Sequence, residues 1–242
     1  MKRKALILCG GWDGHEPKLV TERFKRFLES EDFEVSVTET VSALKEKDRL
    51  MELDLFIPIW TMCDESLPYG FFEPLLEAVG SGVGVAGCHG GMCDAFRSSV
   101  EWQFLTGANW VAHPGGGDIT YRVSIKEKQS PITEGIRDFD ITSEQYYLHV
   151  DPANNVLATT RFPTVNWYHS ANGVVDMPQI WTRKWGHGRV FYNALGHVNS
   201  VFDIHECWEM MKRGLLWAAD SKRIAIEKGL TIDEFKSDKG MY

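Results

Sequence analysis

The apolar run Val83-Gly84-Val85-Ala86-Gly87-Cys88 stops abruptly at His89-Gly90-Gly91. A buried strand that runs straight into such glycines makes a sharp strand-to-helix turn, with the spacing G-x-[nucleophile]-x-G. Small residues are needed there, because the backbone is strained and the next helix packs close. Counted from Gly87, the slot at the tip holds His89, and Cys88 lies one residue out of register. The elbow is the kind a nucleophilic enzyme uses, but an imidazole stands where the nucleophile would be.

The segments around the elbow set its frame. Lys4–Cys9 is an apolar run ended by Gly10-Gly11 and predicts a buried first strand. Leu19, Val20, Phe24, Phe27 and Leu28 give Pro17–Ser30 helical spacing, with the proline suited to a first turn. Phe33–Thr40 and Leu53–Trp60 read as strands two and three, with Pro58 suggesting that the third ends early or that the proline lies at a boundary. Tyr69–Val79 reads as a helix with Pro74 as an irregularity, and Gly82–Cys88 as strand four. This βαβα order implies a parallel sheet with helices on both faces.

After about residue 118, closely spaced strand candidates follow: Ile119–Ile125, Ser143–Val150, Asn155–Arg161, Val174–Trp185 and Gly188–Leu195. Asp203–Ala219 closes the fold as a helix through Ile204, Cys207, Trp208, Met211, Leu215 and Leu216. The expected fold class is α/β, a three-layer sandwich with a mainly parallel central sheet and extra antiparallel strands in the C-terminal half. Residues 1–220 form one domain. Residues 221–242 are a charged extension whose Leu230–Phe235 segment docks as a tail or pairs with another subunit, which leaves room for a homo-oligomer.

Composition removes several function classes. With 242 residues and a net charge of −8, no basic face can dominate, which argues against nucleic acid or an anionic membrane as partner. Ala5–Cys9 is too short for a signal-peptide core, and no run approaches the ~18 apolar residues of a membrane span. Five scattered cysteines, an odd count, point to reduced thiols and a cytoplasmic location. Gly10-Gly11 lacks the further glycines and acidic residue of a dinucleotide site, so no nucleotide cofactor is expected. Nine tryptophans and seven tyrosines serve the core and also suit a cleft that stacks on sugar C–H surfaces.

In an open parallel sheet, sites form beyond the carboxyl ends of the strands. Three loops qualify: Gly10–His15, Thr61–Ser66 and the elbow. His113-Pro114-Gly115-Gly116-Gly117 is a further loop with an ionisable residue among glycines. Ser143–Pro152 carries Glu144, Tyr146, Tyr147 and His149. Strand alternation puts Glu144 and Tyr146 on one face and His149 on the other, so Glu144 and His149 share a site only if the strand ends or bulges first. His197 follows the strand Arg189–Ala194 and points toward the elbow. His169, His187 and His205 lack such context and read as surface residues.

At this point the chain resembles the ThuA-like (trehalose-utilisation) family of the class I glutamine-amidotransferase-like superfamily. The likeness covers roughly residues 4–220. It rests on Gly87-Cys88-His89-Gly90-Gly91, on Leu105-Thr106-Gly107 with His113-Pro114, on Ser143-Glu144-Gln145-Tyr146, and on Phe191-Tyr192-Asn193-Ala194-Leu195-Gly196-His197. It implies a flavodoxin-like, amidotransferase-like sheet and a place in carbohydrate metabolism. In amidotransferases the elbow residue is cysteine, and its partner histidine precedes a carboxylate. Here His89 takes the cysteine's place and His197-Val198-Asn199 lacks the carboxylate, which argues against glutaminase chemistry.

The expected function is therefore an enzyme acting on a sugar or keto-sugar. His89, His197 and Glu144 are the candidate catalytic groups, as general acid and base. Alternatively a divalent metal, zinc first, sits on His89, His149 and His197, with Glu144 or His113 as substitute ligands. Trp12, His15, His113 and Tyr146 are expected to line a pocket for a small-molecule carbohydrate. Two other readings stay open: a non-catalytic sugar-binding or regulatory module, and a cysteine hydrolase using Cys88.

Overall fold

The computed structural model describes residues 2–62 and 67–237. The first half alternates β1 (Arg3–Gly11), α1 (Pro17–Ser30), β2 (Phe33–Thr38), α2 (Lys47–Met51), β3 (Leu55–Thr61), α3 (Glu73–Gly80) and β4 (Gly84–Cys88). Then come α4 (Gly90–Cys93), α5 (Val100–Thr106), β5 (Ala108–Ala112), β6 (Ile119–Ile125), β7 (Phe139–Ser143) and β8 (Tyr147–Val150). β9 (Asn155–Phe162), β10 (Val175–Trp185), β11 (Gly188–Asn193) and α6 (His205–Glu227) complete the chain.

One sheet runs in the order β2-β1-β3-β4-β11-β10-β9-β6-β7. β2, β1, β3, β4 and β11 are parallel, and the rest continue it antiparallel. The chain leaves β1 for β2 on one side and returns to β3 on the other. That reversal opens a crevice beyond the carboxyl ends of β1 and β3, where α/β proteins hold ligands. Alternation along the buried strands feeds two cores. Ile7, Ala86 and Phe191 face α1 and α6, whereas Leu6, Leu8, Val85 and Tyr192 face α3 and α5. The expected three-layer α/β class is the architecture observed.

Several boundaries differ for identifiable reasons. Pro58 lies inside β3, which runs on to Thr61. Pairing of β3 with β4 stops at Phe56, while pairing with β1 continues through Pro58, so the proline falls where one ladder has already ended. The helix expected from Tyr69 begins at Glu73, and Pro74 sits in its first turn, where a missing N–H costs nothing. α6 runs through residue 220 to Glu227, so the expected end of the domain falls inside a helix. Ser143–Val150 is two elements, with β8 pairing to β5 in a separate two-stranded sheet. Among the described residues, no helix is long and apolar enough to cross a membrane.

α6 reaches β11 through Gly214, where an added Cβ would fall 2.1 Å from the ring of buried Phe191. Alanine favours a helix interior over glycine by about 1 kcal/mol, but overpacking a core costs about 1–3 kcal/mol. Gly214→Ala is therefore expected to lower the unfolding free energy in urea by about 1–2 kcal/mol. A rise would show that α6 packs less closely on the sheet.

Candidate functional site

Four side chains from four separate loops converge beyond the carboxyl ends of the parallel strands. His15 ends the short turn after β1, His89 follows β4, Glu144 lies between β7 and β8, and His197 follows β11. One ligand atom from each lies within 4.8 Å of the others. Glu144 Oε2 is the hub, 3.1 Å from His89 Nε2, 3.3 Å from His197 Nδ1 and 4.0 Å from His15 Nε2.

The elbow delivers His89 at φ 45° and ψ −134°, a conformation L-residues rarely adopt and one that costs about 1–3 kcal/mol. The surroundings hold it there. The His89 N–H donates to Asn193 O at 2.7 Å, and its carbonyl accepts from Cys93 N and from Tyr192 Oη. Glycine at position 90 lets His15 approach, since a Cβ there would fall 2.5 Å from the imidazole Cε1. Cys88, on the strand side of the turn, points into the α1/α6 core, and burial pushes its thiol up to about 12. The cysteine-hydrolase reading lacks a reactive thiolate at this position.

Glu144 arrives because the strand breaks. Residues 144–146 leave the ladder, and side chains take over the backbone groups that pairing would have used. Tyr121 Oη donates to Glu144 O at 2.9 Å, and Gln179 Nε2 donates to Tyr146 O at 2.7 Å. The Gln145 amide donates to Thr160 Oγ1 and Arg161 O. The Tyr146 ring then stacks under His89, with centroids 3.8 Å apart.

Hydrogen bonds on the outer nitrogens fix the rings. His89 Nδ1 lies 2.7 Å from Ala194 O, and a carbonyl only accepts, so Nδ1 carries the proton. In the neutral ring Nε2 is then a bare lone pair aimed at a carboxylate. His15 Nδ1 is 2.8 Å from Thr61 Oγ1, which turns Nε2 inward. His197 Nδ1 is buried without a hydrogen bond. Burial lowers the affinity of His89 for a proton, against the pull of Glu144 and Ala194. Burial, then the neighbouring His89 and His197, pull His15 down to about 3. Burial alone would raise Glu144, yet the His197 and His89 rings hold its carboxyl well below the usual range. Three imidazole nitrogens and a carboxylate oxygen within reach of one another are a donor set that a divalent cation can use.

The other expected site residues fall in different places. His113 is half-buried at the rim, Nδ1 3.8 Å from Glu144 Oε1. Trp12 is 48% exposed and packs edge-on to His15, forming the outer wall. Tyr146 is buried behind His89 instead of open to the cleft. His149 does not join the cluster: it is exposed on β8, opposite Asn109. His15, expected as a pocket wall, takes its place among the converging donors. The signal for that was available, since Gly10–His15 follows the strand at the switch point. Met62 continues the loop after β3, and Cys63–Ser66 lie outside the described residues.

Of the three histidines expected on the surface, only His205 is exposed. The His187 side chain is covered by the tail, bonding Thr231 O at 2.9 Å and pairing with Glu234. His169 packs edge-on near Tyr147 and Phe162 with both ring nitrogens buried.

Residues 4–218 match the family model described as ThuA, trehalose utilisation. A ThuA-like protein from Parabacteroides merdae superposes with a TM-score of 0.69 at 18% identity, covering 92% of this chain and 91% of that one. A cytoplasmic protein from Salmonella typhimurium gives a TM-score of 0.60 at 11% identity, over 89% and 99%. A glutamine amidotransferase from Thermotoga maritima gives 0.51 at 12% identity, over 93% and 94%. No curated protein matches the sequence.

The electrostatics set a pH dependence for the chelator-treated protein. His15 is neutral in the fold down to about 3 but charges near pH 6.5 when unfolded. The unfolded state therefore binds more protons between those values, and stability falls as pH falls through that window. Urea unfolding is expected to lose stability from pH 6.5 to 4.5, with a slope of up to about 1.4 kcal/mol per pH unit from each such group. His15→Gln should flatten the slope. Equal slopes in both proteins would contradict the burial of a neutral His15.

Proposed function

Because this chain belongs to the ThuA, trehalose utilisation, family, we propose that it is an enzyme acting on a sugar or keto-sugar at a single divalent-metal site. The ligands are His15 Nε2, His89 Nε2, His197 Nδ1 and Glu144 Oε2. The observation that carries this reading is the convergence of three imidazoles and one carboxylate on a common point, with the outer nitrogens of His89 and His15 engaged by Ala194 O and Thr61 Oγ1. Outer-shell partners of this kind set the tautomer and orientation of metal-binding histidines. An all-nitrogen-and-oxygen donor set of this size fits zinc.

A bound divalent ion would supply Lewis acidity toward a sugar carbonyl or an activated water. This chain's own residues do the rest. His113 stands at the rim, half in solvent and close to the free oxygen of Glu144, placed to carry a proton to or from the substrate. Trp12 presents an exposed face on which a sugar's C–H surface can stack. Tyr146 and Trp110 close the floor and exclude water behind His89 and His113. Glutamine hydrolysis is not part of the reading, because Cys88 faces the core and His89 occupies the elbow. A cytoplasmic location accords with the structural relative described as a cytoplasmic protein.

Protein purified without chelator is expected to carry close to one zinc per chain by elemental analysis. His197→Ala and His15→Ala should lose the metal, and His149→Ala should keep it. Turnover of disaccharides and their 3-keto derivatives should fall at least about 100-fold in Glu144→Gln, as loss of a ligand or its support does. Metal-free protein with undiminished turnover would overturn the metal reading. Metal-loaded protein inert on the whole panel would favour a binding module.

A further inference from the structure

We propose that Arg97 is an oxyanion-recognition residue at the mouth of this cleft, so that the sugar it accepts carries a carboxylate or a phosphate. The inference rests on the reading of the cleft as a sugar site and narrows its substrate class.

Arg97 lies in the link between α4 and α5, directly downstream of the elbow. Its Nε donates to Asp94, a carboxylate only 3% exposed. Its guanidinium carbon sits 4.2 Å from the centroid of the Trp110 ring. Trp110 in turn lies 5.7 Å from the His113 ring and 6.2 Å from Tyr146. Arg97 is thus one indole away from the rim histidine, and its side chain is 41% exposed.

Two fixed contacts, Asp94 and the indole face, determine where the guanidinium points. Here Asp94 takes Nε, and among the described residues neither Nη atom has a hydrogen-bond partner. The free Nη fork matches two oxygens of one carboxylate or phosphate. Trp110 Nε1, on the ring beneath, is a buried N–H with no partner either. The chain's net charge of −8 makes this cation a local feature, separate from any general basic surface. Asp94 already balances the charge of Arg97, so what the free Nη fork offers is two parallel donors, which the oxygens of one carboxylate or phosphate accept together and a neutral hydroxyl does not.

Calorimetric titration of the zinc-loaded protein with D-glucuronate, D-glucose 6-phosphate and D-glucose tests this. One or both anionic probes should bind at least about tenfold more tightly than glucose, in line with a charged hydrogen bond. The tighter of the two identifies carboxylate or phosphate as the group read. Arg97→Gln should bring the anions to the level of glucose while zinc content stays at the wild-type value, and Arg97→Lys should recover part of the preference. Equal binding of all three sugars, or a preference that survives Arg97→Gln, would overturn the inference and leave the sugar site standing. Failure of the zinc-loaded protein to bind any of the sugars would overturn both.

Discussion

The carboxylate of Glu144, set among the imidazoles of His15, His89 and His197, is the arrangement on which the rest of this structure turns. Two of the rings are held from behind, His89 by Ala194 O and His15 by Thr61 Oγ1, and His197 comes in from the turn after β11. The inward nitrogen of His89 is left as a lone pair facing a negative charge, and His15 Nε2 is turned toward the same carboxylate. In a buried place such a set is unstable unless a positive charge joins it. Local departures from regular structure nearby serve this convergence. The strained φ of His89, the break between β7 and β8, and the bare Cα of Gly90 each bring one donor to the centre.

The scaffold resembles that of a glutamine amidotransferase at the level of fold alone. The elbow is present, and its strain is held by the bonds of the His89 backbone to Asn193, Cys93 and Tyr192. The side chain at its tip is His89, where the resemblance to amidotransferases implies a cysteine. A one-residue offset sends Cys88 into the α1/α6 core, where burial suppresses its thiolate, and leaves His89 aimed at the cleft. A shared fold does not carry a shared site, so the residues at this turn have to be read for themselves.

Much of the frame was legible in the sequence. Runs such as Ala5–Cys9 and Val83–Cys88 are continuous and apolar because the central strands are buried on both faces, and that signal is local. The elbow and His197 were legible for the same reason, since each ends such a run. Glu144 was legible only conditionally. Whether Ser143–Val150 is one strand or two depends on β5, Tyr121 and Gln179, all distant in sequence, so alternation alone could not say that Glu144 turns inward and His149 outward. His15 was assigned to the cleft but not to the centre, because its approach depends on the missing side chain of Gly90. Whether Pro58 ends its strand or lies at a boundary is settled by where β4 stops pairing, a property of the sheet and not of β3.

The most direct test of the proposed centre is X-ray diffraction from zinc-loaded crystals, collected on both sides of the zinc absorption edge. The expected result is one strong anomalous peak bonded to His15, His89, His197 and Glu144, with bonds of about 2.0–2.2 Å. Absence of a peak there, with the four side chains in place, would contradict the reading of this cluster as a metal site.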